Sequence, residues 1–402
     1  MAAVAYPKWT RGETTTWKRS VDENVILVNQ AATKMLQVIS PGLNNLPVPC
    51  KSTKYEWVED ELALFESKCG ATAGSATTPT PTGALTTAAT TFYVKNAEGE
   101  YFLVGHILKV DSELMLVTTA GSAADLVTVA RAYGFSTVAT HEAGSTIEIV
   151  GRLHNEGGAA TTDTYVVPTM PYNYTQIWQA EFELTSTEMA ILRYGDVNRL
   201  DYLESKNLKH LMSLFERNFI NGSRVERTTK TSIAATSGSA GGLADTTAAY
   251  IHAANRNDIS SAALTRKDVL DLLQEIFALV GPEFMPTHIF LNAWAKRKMN
   301  GFFEPYVRTE RGDTVGGMRI ESILTDYGEL DLVLTPNEPT NRMHFLHVPF
   351  CAIGPLEGEE FRTVELAQTT ALATKFQLVG EYTQMIKNPK CHGEIHSFST
   401  TS

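Results

Sequence analysis

The chain has 402 residues, of which 43% are hydrophobic and 20% are charged, so it can bury one large core or several smaller ones. The formal charge of −11 argues against tight generic binding to nucleic acid, because phosphate contacts require a basic surface. The sequence contains no apolar run of membrane-spanning length and no signal-peptide core at its N-terminus, so we expect no membrane contact and a protein that stays in the cytoplasm where it is made.

Residues 1–50 show no sustained hydrophobic period. They contain one apolar cluster, Val25–Val28, and a possible short helix over residues 30–38 that the sequence Ser40-Pro41-Gly42 would end. Such a segment cannot bury a core of its own. We therefore predict an N-terminal arm that lies over its own body or over a neighbouring chain.

Residues 54–65 and 172–184 are rich in aromatic and β-branched side chains, which predicts two strands that pair as the legs of a long hairpin. Two linkers of small residues, 70–91 and 156–162, lie between them. The block between the linkers contains five short strand patterns separated by turns, at residues 91–94, 106–110, 114–117, 126–130 and 146–150. This spacing predicts a small antiparallel barrel or sandwich inserted at the hairpin.

The longest predicted helix covers residues 196–221. Gly222 follows it in the position of a C-terminal stop, and Asp196 supplies an N-cap acceptor. At 1.5 Å per residue the helix would be about 35–40 Å long, which favours an extended or architectural protein over a compact enzyme domain. Its predicted apolar face consists of Val197, Leu200, Leu203, Leu208, Leu211, Met212, Phe215 and Phe219.

Residues 228–257 are polar and small and are typical of a surface loop. Thr265 and Asp268 then form an N-cap pair for a second helix, which Gly281 ends and which we expect to pack beside the first. The remainder predicts one further helix, 293–300, among many strands, so the fold class is α+β. The predicted strands are residues 288–291, 318–324, 330–334, 343–348, 350–353, 363–366, 375–386 and 392–398.

Histidines and cysteines do not form a convincing reactive set. His344 and His347 are three apart in a predicted strand, so their side chains would point to opposite faces. Cys391-His392 with His396 lacks an Asn or Asp partner, and the four cysteines have no CxxC spacing, which favours buried reduced thiols.

Two other clusters are equally weak. The glycine-rich stretch Gly238–Gly242 lacks the Lys-Ser/Thr of a phosphate loop. The basic cluster Lys296-Arg297-Lys298, with Arg308 and Arg311, is more typical of a solvated helix face than of a site for phosphate or an acidic neighbour. We therefore predict no catalytic residues, no cofactor-binding residues, no metal ligands, no cofactor and no enzyme activity.

The C-terminal stretch from Arg362 to Ser399 resembles the ending of tailed-bacteriophage major capsid (major head) proteins with the Hong Kong 97-type fold, in particular the SU-ten-type group. The matching positions are Glu365-Leu366, Glu381-Tyr382-Thr383, Lys387-Asn388 and His392-Gly393. Earlier matches occur in the same order, at Ser40-Pro41, Tyr55-Glu56-Trp57, Asn173–Gln176, the long helix and Asp326-Tyr327-Gly328. The inserted block also resembles one found in longer members, through Val104-Gly105-His106, Glu113 and Val127–Arg131. Gln368-Thr369-Thr370 and Gly42–Asn45 depart from the usual pattern.

The resemblance implies a Hong Kong 97-like capsid fold and a role for each segment. Residues 1–53 would be the N-terminal arm, 54–75 and 159–185 the strands of the extended loop, and 76–158 an inserted β-rich domain. Residues 186–283 would form the peripheral domain with its spine helix, 284–362 the axial domain, and 363–402 the return to the peripheral domain.

The resemblance implies a structural protein that self-assembles into the icosahedral or prolate head of a tailed phage. Its partners would be further copies in pentamers and hexamers, with portal, scaffolding and possibly decoration proteins. The shell would enclose double-stranded DNA without sequence-specific binding, in the virion capsid and, during assembly, in the host cytoplasm. We hypothesise that the acidic balance keeps the inner wall from holding DNA.

Three alternatives remain open at this point. One is a bacterial nanocompartment shell, which shares the fold, and another is a different ring-forming virion protein, such as a tail-tube-like protein. An enzyme would need an activity that the residues do not suggest.

Overall fold

The structure is a computed structural model that describes residues 33–62, 66–74, 80–157, 166–191, 199–228, 238–303, 321–366 and 373–400. The apolar cluster predicted at Val25–Val28 therefore lies outside the described residues, as do Val197, Arg308 and Arg311. The chain forms two compact units, which are described separately below. The larger is built from the described parts of Met1–Trp57 and Met170–Ser402, and the smaller from those of Val58–Thr169.

The helices of the larger unit begin where the sequence supplies capping groups. The Thr265 hydroxyl accepts a hydrogen bond from the Asp268 amide and the Asp268 carboxylate accepts one from the Thr265 amide, so α4 starts with the predicted capping box. Gly281 ends α4 with a φ of 71°, a left-handed value that favours glycine. The helices are α1 Lys34–Ile39, α2 Ser186–Ala190, α3 Arg199–Asn221, α4 Arg266–Val280 and α5 Ala293–Phe303.

The larger unit contains three sheets, and their strands follow the predicted segments closely. A six-stranded sheet has the order β10-β18-β14-β11-β13-β12, and a four-stranded sheet contains β15, β17, β16 and β9. The third sheet pairs only β1 with β8. The strands are β1 Lys54–Glu56, β8 Tyr172–Tyr174, β9 Gln176–Thr185, β10 Arg256–Asp258, β11 His288–Leu291, β12 Ser322–Thr325, β13 Gly328–Leu334, β14 Arg342–Leu346, β15 Cys351–Pro355, β16 Arg362–Leu366, β17 Ala373–Ile386 and β18 Gly393–His396.

Two separate hydrophobic cores lie in the larger unit. The first collects Phe215 and Phe219 of α3 with α1, β15 and the C-terminal half of β17. The second packs α4 and α5 on the six-stranded sheet. The expectation that α3 and α4 pack side by side is therefore wrong, because each helix covers a different core. The second core also takes in α4 and β18, so it extends beyond the predicted segment 284–362 on both sides.

The loop predicted at 228–257 is not wholly a surface segment. Leu243, Tyr250 and Ile251 are buried in the first core, and β10 belongs to the six-stranded sheet. Apolar side chains spaced among many small residues give little periodic signal, which is why the pattern indicated a loop.

Among the described residues, the predicted hairpin pairing is present only over residues 54–59 and 169–174. β1 pairs antiparallel with β8 over Lys54–Glu56 and Tyr172–Tyr174. From residue 176 onward β9 instead pairs with β17, from Gln176 opposite Tyr382 to Thr185 opposite Ala373. Residues 54–65 and 172–184 are therefore not the two legs of one long hairpin, since most of the second segment is a strand of the four-stranded sheet.

The smaller unit is a closed antiparallel barrel with strand order β2-β3-β6-β5-β4-β7. Alternating apolar residues fill its interior, including Phe92, Leu108, Val110, Met115 and Ile147. The unit runs from Val58 to Thr169, and is thus wider than the predicted 76–158, because residues 66–70 are a barrel strand. The strands are β2 Glu66–Gly70, β3 Thr91–Val94, β4 His106–Val110, β5 Glu113–Thr119, β6 Leu126–Ala130 and β7 Ser145–Arg152.

Candidate assembly surface

Large apolar side chains are exposed on two paired segments of the smaller unit. Glu59 and Thr169 exchange backbone hydrogen bonds of 2.9 and 2.8 Å, which pins residues 58–62 beside residues 166–169. Val58 is 61% exposed, Leu62 84% and Val167 73%. Large apolar side chains left exposed on paired segments are typical of a surface that another protein covers.

In the larger unit, the β1–β8 pair is fixed by contacts around Tyr172. The Tyr172 ring lies 4.1 Å from Lys54 Nζ and 4.0 Å from Arg224 Cζ, both within cation–π distance. Its carbonyl accepts hydrogen bonds from Arg224 Nη1 at 2.8 Å and from the Tyr250 hydroxyl at 2.9 Å. Trp57 is buried and stacks on Tyr250, with ring centroids 6.2 Å apart. The pair is therefore held on the first core of the larger unit.

A buried carboxylate in α3 joins three segments of the first core. Glu216 is 0% exposed and accepts hydrogen bonds from the Thr335 hydroxyl, from Asn337 Nδ2 at 3.0 Å and from the Leu36 amide at 3.3 Å. Burial raises the pKa of Glu216, and these hydrogen bonds oppose the rise. The residue therefore ties α1 and the 335–337 turn to the long helix.

The predicted apolar face of the long helix did not include Glu216, although the structure buries it there. Glu216 is four residues after Met212 and four before Ile220, so the helical spacing does put it on the apolar face. The N-terminal half of that face is less buried than predicted. Leu200, Leu203 and Leu208 are half-buried, whereas Leu211, Phe215, Phe219 and Ile220 are buried.

The barrel contains a buried ionic network. Glu113 is 0% exposed and accepts two 2.7 Å hydrogen bonds from Arg131 Nε and Nη2. It also accepts bonds from the Ala139 amide at 2.9 Å and the Ala132 amide at 3.2 Å. His141 lies between two carboxylates, with Nε2 3.1 Å from Glu113 and Nδ1 2.7 Å from Asp111. Burial alone would raise the pKa of Glu113, but the donors, led by Arg131, outweigh it and lower this pKa to about 2.

Arg131 extends the network to the barrel's loops. It donates to the carbonyls of Thr86 at 3.0 Å, Ala89 at 2.9 Å and Ala139 at 2.6 Å. Glu113 and Arg131 are the two charged positions through which the inserted block resembles longer capsid proteins. The structure thus gives that resemblance a physical reason, because the two residues form one buried bidentate pair where β5 begins and β6 ends.

The histidines singled out in the sequence are structural. His344 is buried on β14 and bonds to Glu338 at 2.7 Å, whereas His347 lies beyond the end of the strand, with Nδ1 2.7 Å from the Met285 carbonyl. His392 Nδ1 accepts a hydrogen bond from the His347 amide at 3.3 Å, and burial lowers the pKa of His392 to about 4. Among the residues that the structure describes, no group of three or more His, Cys, Asp or Glu side chains is arranged so that it could hold a metal ion.

The cysteines are buried and free, as predicted. Burial raises the pKa of Cys69 to about 11 and that of Cys351 to about 12, so both thiols are protonated at neutral pH. The Cys391 Sγ lies 2.9 Å from the Asn388 carbonyl, and His396 is on β18. Cys391 therefore has a backbone carbonyl as its partner, and its thiol does not form a nucleophile–base pair with His396.

The glycine-rich stretch closes against the end of α3. A Cβ on Gly242 would lie 2.4 Å from the Asn218 carbonyl oxygen, so no larger residue fits there. The Gly241 amide donates to Asn173 Oδ1 at 2.8 Å. This segment packs against its own chain and does not form a phosphate loop.

The three basic residues of the cluster Lys296-Arg297-Lys298 have different surroundings in the structure. Lys296 Nζ donates to the Leu332 carbonyl at 3.3 Å, which is a structural contact. Arg297 and Lys298 instead line an open cleft of about 450 Å³ with Trp294, Gly301 and Phe302.

In the described part of the chain, no helix is both long enough and apolar enough to span a bilayer.

Comparison with solved structures defines the class of protein that this fold represents. The capsid chain of a native GTA particle shares 9% identity, and the match covers 98% of this chain and all of that one with a TM-score of 0.51. The capsid chain of an empty GTA particle gives 9% identity, 95% coverage of each chain and a TM-score of 0.50. At such identities the likeness concerns the fold alone, and the fold is that of a capsid protein.

The family model described as SU10 major capsid protein matches residues 8–399. The chain therefore belongs to the SU10 major capsid protein family, whose members are structural proteins of bacteriophage capsids. This match also favours a capsid protein over a nanocompartment shell. The SrpI encapsulin of Synechococcus elongatus is 7% identical, with 58% of this chain and 78% of that chain covered and a TM-score of 0.41. No curated protein matches the sequence.

Proposed function

We propose that copies of this chain assemble into five- and six-membered rings that close the head of a tailed bacteriophage around double-stranded DNA. The observation that carries the proposal is the exposed apolar surface of residues 58–62 and 166–169. A neighbouring copy would cover Val58, Leu62 and Val167, and burying each side chain would contribute about 1.5–3 kcal/mol. Head-to-tail contacts of this kind close into rings.

The parts of the subunit would then have distinct roles. Residues 1–53 would be the arm, of which α1 packs in the first core of its own chain, and the first core, built on α3, would form the peripheral domain. The second core, with α4, α5 and the six-stranded sheet, would form the axial domain at the centre of each ring. Residues 363–402 would return to the peripheral domain through β16 and β17, although β18 pairs in the six-stranded sheet.

Most of the acidic excess lies outside the larger unit, so the hypothesis that the acidic balance keeps DNA from the inner wall would rest on a nearly neutral wall. The segment 58–169 contains 13 acidic and five basic residues, which leaves 32 acidic and 29 basic residues in the rest of the chain. The larger unit is thus nearly neutral, and most of the acidic excess belongs to segment 58–169. We place the barrel on the outside of the shell, where a separate unit has room. The shell would act without catalysis, in the virion capsid and, during assembly, in the host cytoplasm, with portal, scaffolding and possibly decoration proteins as partners.

Aspartate substitutions on the exposed segment test the assembly proposal. Leu62→Asp with Val167→Asp should leave the subunit folded but raise the concentration needed for assembly by at least about 100-fold, because two buried side chains are lost from each contact. Sedimentation and negative-stain microscopy would measure assembly, and circular dichroism would measure folding.

Val150→Asp on β7 is the matched control, since Val150 is 54% exposed and lies on the wall of the same barrel. It should assemble like the parent chain. Normal shells from the double variant, or equal loss of assembly in both variants, would rule out the proposed surface.

A further inference from the structure

A second exposed apolar group lies at the tip of the barrel, on the turn between β6 and β7. Phe135 is fully exposed, and Val138 on the same turn is 39% exposed. Three of four consecutive residues in this turn have left-handed backbone angles, with φ of 56° at Ala132, 64° at Gly134 and 71° at Phe135. A bulky aromatic residue rarely adopts a positive φ, and such strained positions concentrate at functional sites.

The turn is held in this conformation by buried and half-buried groups. The Glu113 carboxylate accepts hydrogen bonds from the backbone amides of Ala132 and Ala139, which lie near the two ends of the turn. Ser136 Oγ accepts from the Leu114 amide at 3.1 Å and lies 2.9 Å from the Tyr133 carbonyl, to which it can donate. Phe135 is therefore presented on a preorganised support, and a partner would bind it without a large cost in loop ordering.

The charge of the unit selects the kind of partner. With 13 acidic and five basic residues, segment 58–169 has a formal charge of −8. The barrel itself, residues 66–152, has eight acidic and five basic residues and a formal charge of −3. A nucleic acid or an anionic membrane would be repelled by this acidic unit, whereas a basic protein would be attracted. An aromatic side chain at the centre of a contact is also the residue type that most often dominates binding between proteins.

We propose that the turn from Arg131 to Ala139 is a docking site for a basic partner protein, which receives Phe135 in an apolar pocket bordered by lysine or arginine side chains. Glu113 and Arg131 hold the turn through their hydrogen bonds to its backbone and would not touch the partner. The site is separate from the exposed segment 58–62, which we assign to contacts between copies.

A photocrosslinker placed at the tip tests this proposal in the full chain. Benzoylphenylalanine would replace Phe135 in particles purified from infected cells, with the same group at Val150 as the control. After illumination, we expect an adduct at position 135 between this chain and one different polypeptide, whose crosslinked segment carries a net positive charge. The Val150 position should not give that adduct. Adducts only with copies of this chain, adducts with DNA, or the absence of adducts would overturn the proposal.

A second variant separates docking from folding. Phe135→Ser should reduce the partner bound per particle by at least about tenfold, the ratio expected when one dominant aromatic contact is lost. Val150→Ser should leave it unchanged, and partner retention in Phe135→Ser particles would overturn the proposal. The experiment uses particles and so rests on the proposed function. Failure to obtain any particles counts against that function, whereas particles with no partner at Phe135 count against the docking site alone.

Discussion

Replacing Arg131 by methionine should destabilise the barrel strongly while leaving the larger unit intact. The substitution keeps much of the aliphatic volume but removes both 2.7 Å hydrogen bonds to Glu113, which is 0% exposed. Loss of one partner from a buried ion pair costs about 3–5 kcal/mol. The pKa of Glu113 gives a similar magnitude, because its fall from 4.5 to about 2 corresponds to roughly 3 kcal/mol.

Hydrogen exchange followed by mass spectrometry on the full chain measures this effect. Amides of β4, β5 and β6 should exchange at least about 100-fold faster in Arg131→Met, since each 1.4 kcal/mol is a factor of ten. Amides of β17, in the larger unit, should not change. Lys109→Met is the matched control in the same barrel, because the Lys109–Glu148 pair is 3.5 Å apart and its side chains are 49% and 54% exposed.

The pH dependence provides a second test of the same reasoning. Glu113 has a folded-state pKa below its ordinary value, so its stabilising effect is present above pH 4.5 and is lost as the pH falls toward 2. The difference between Arg131→Met and the parent chain should therefore shrink over that interval. Exchange within about threefold of the parent at pH 7, or equal effects of Arg131→Met and Lys109→Met, would refute the role assigned to the pair.

Three further predictions concern the larger unit. Phe215→Asp should abolish soluble, folded protein because it buries an unpaired carboxylate at a cost of several kcal/mol. Leu208→Asp, at a half-buried position, should fold with a lowered melting temperature. Equal yields of soluble protein from the two variants would contradict the assigned burial. Because burial raises the pKa of Glu216, the unfolding free energy of the parent chain should decline as the pH rises above 4.5. Glu216→Gln should make this decline smaller when it is measured by urea unfolding. An unchanged dependence of the unfolding free energy on pH would count against the burial of Glu216. His392 is buried in its neutral form, so the parent chain should lose up to roughly 3 kcal/mol of unfolding free energy as the pH falls from 6.5 toward 4. His392→Gln should not show this loss. Identical pH profiles of the two chains would contradict the role of His392.

Local patterns in the sequence were sufficient for most elements. Short apolar runs separated by turn residues predicted five of the six barrel strands, with β3, β4 and β6 at the predicted residues. The capping box of Thr265 and Asp268 placed the start of α4, and Gly281 placed its end. These features depend on neighbours along the chain, so the sequence displays them directly.

Features that depend on distant partners were missed. β2 contains Glu66, Ser67 and Lys68, and buried Ser67 is stabilised by a 2.7 Å hydrogen bond to Glu98, which lies 31 residues away. Alternation of apolar side chains cannot reveal a strand of that kind. The pairing of β9 with β17 joins residues about 200 positions apart, and the assignment of α3 and α4 to different cores likewise requires the tertiary structure.

The candidate surfaces were only partly predictable. The sequence suggested an extended loop at residues 54–75, but only the structure shows that Val58, Leu62 and Val167 remain exposed on paired segments. Glu113 and Arg131 were found through resemblance, and their pairing required the closed barrel. Phe135 gave no signal at all, because an isolated aromatic residue in a turn is indistinguishable from a buried one until its exposure is known.

Cryo-electron microscopy of particles formed by the full-length chain tests the central claim most directly. We predict closed shells made of five- and six-membered rings, in which residues 58–62 and 166–169 lie against a neighbouring copy and the barrel projects outward. Open tubes, isolated rings or monomers under conditions in which the subunit is folded would contradict the assignment of this chain as a shell-forming capsid subunit.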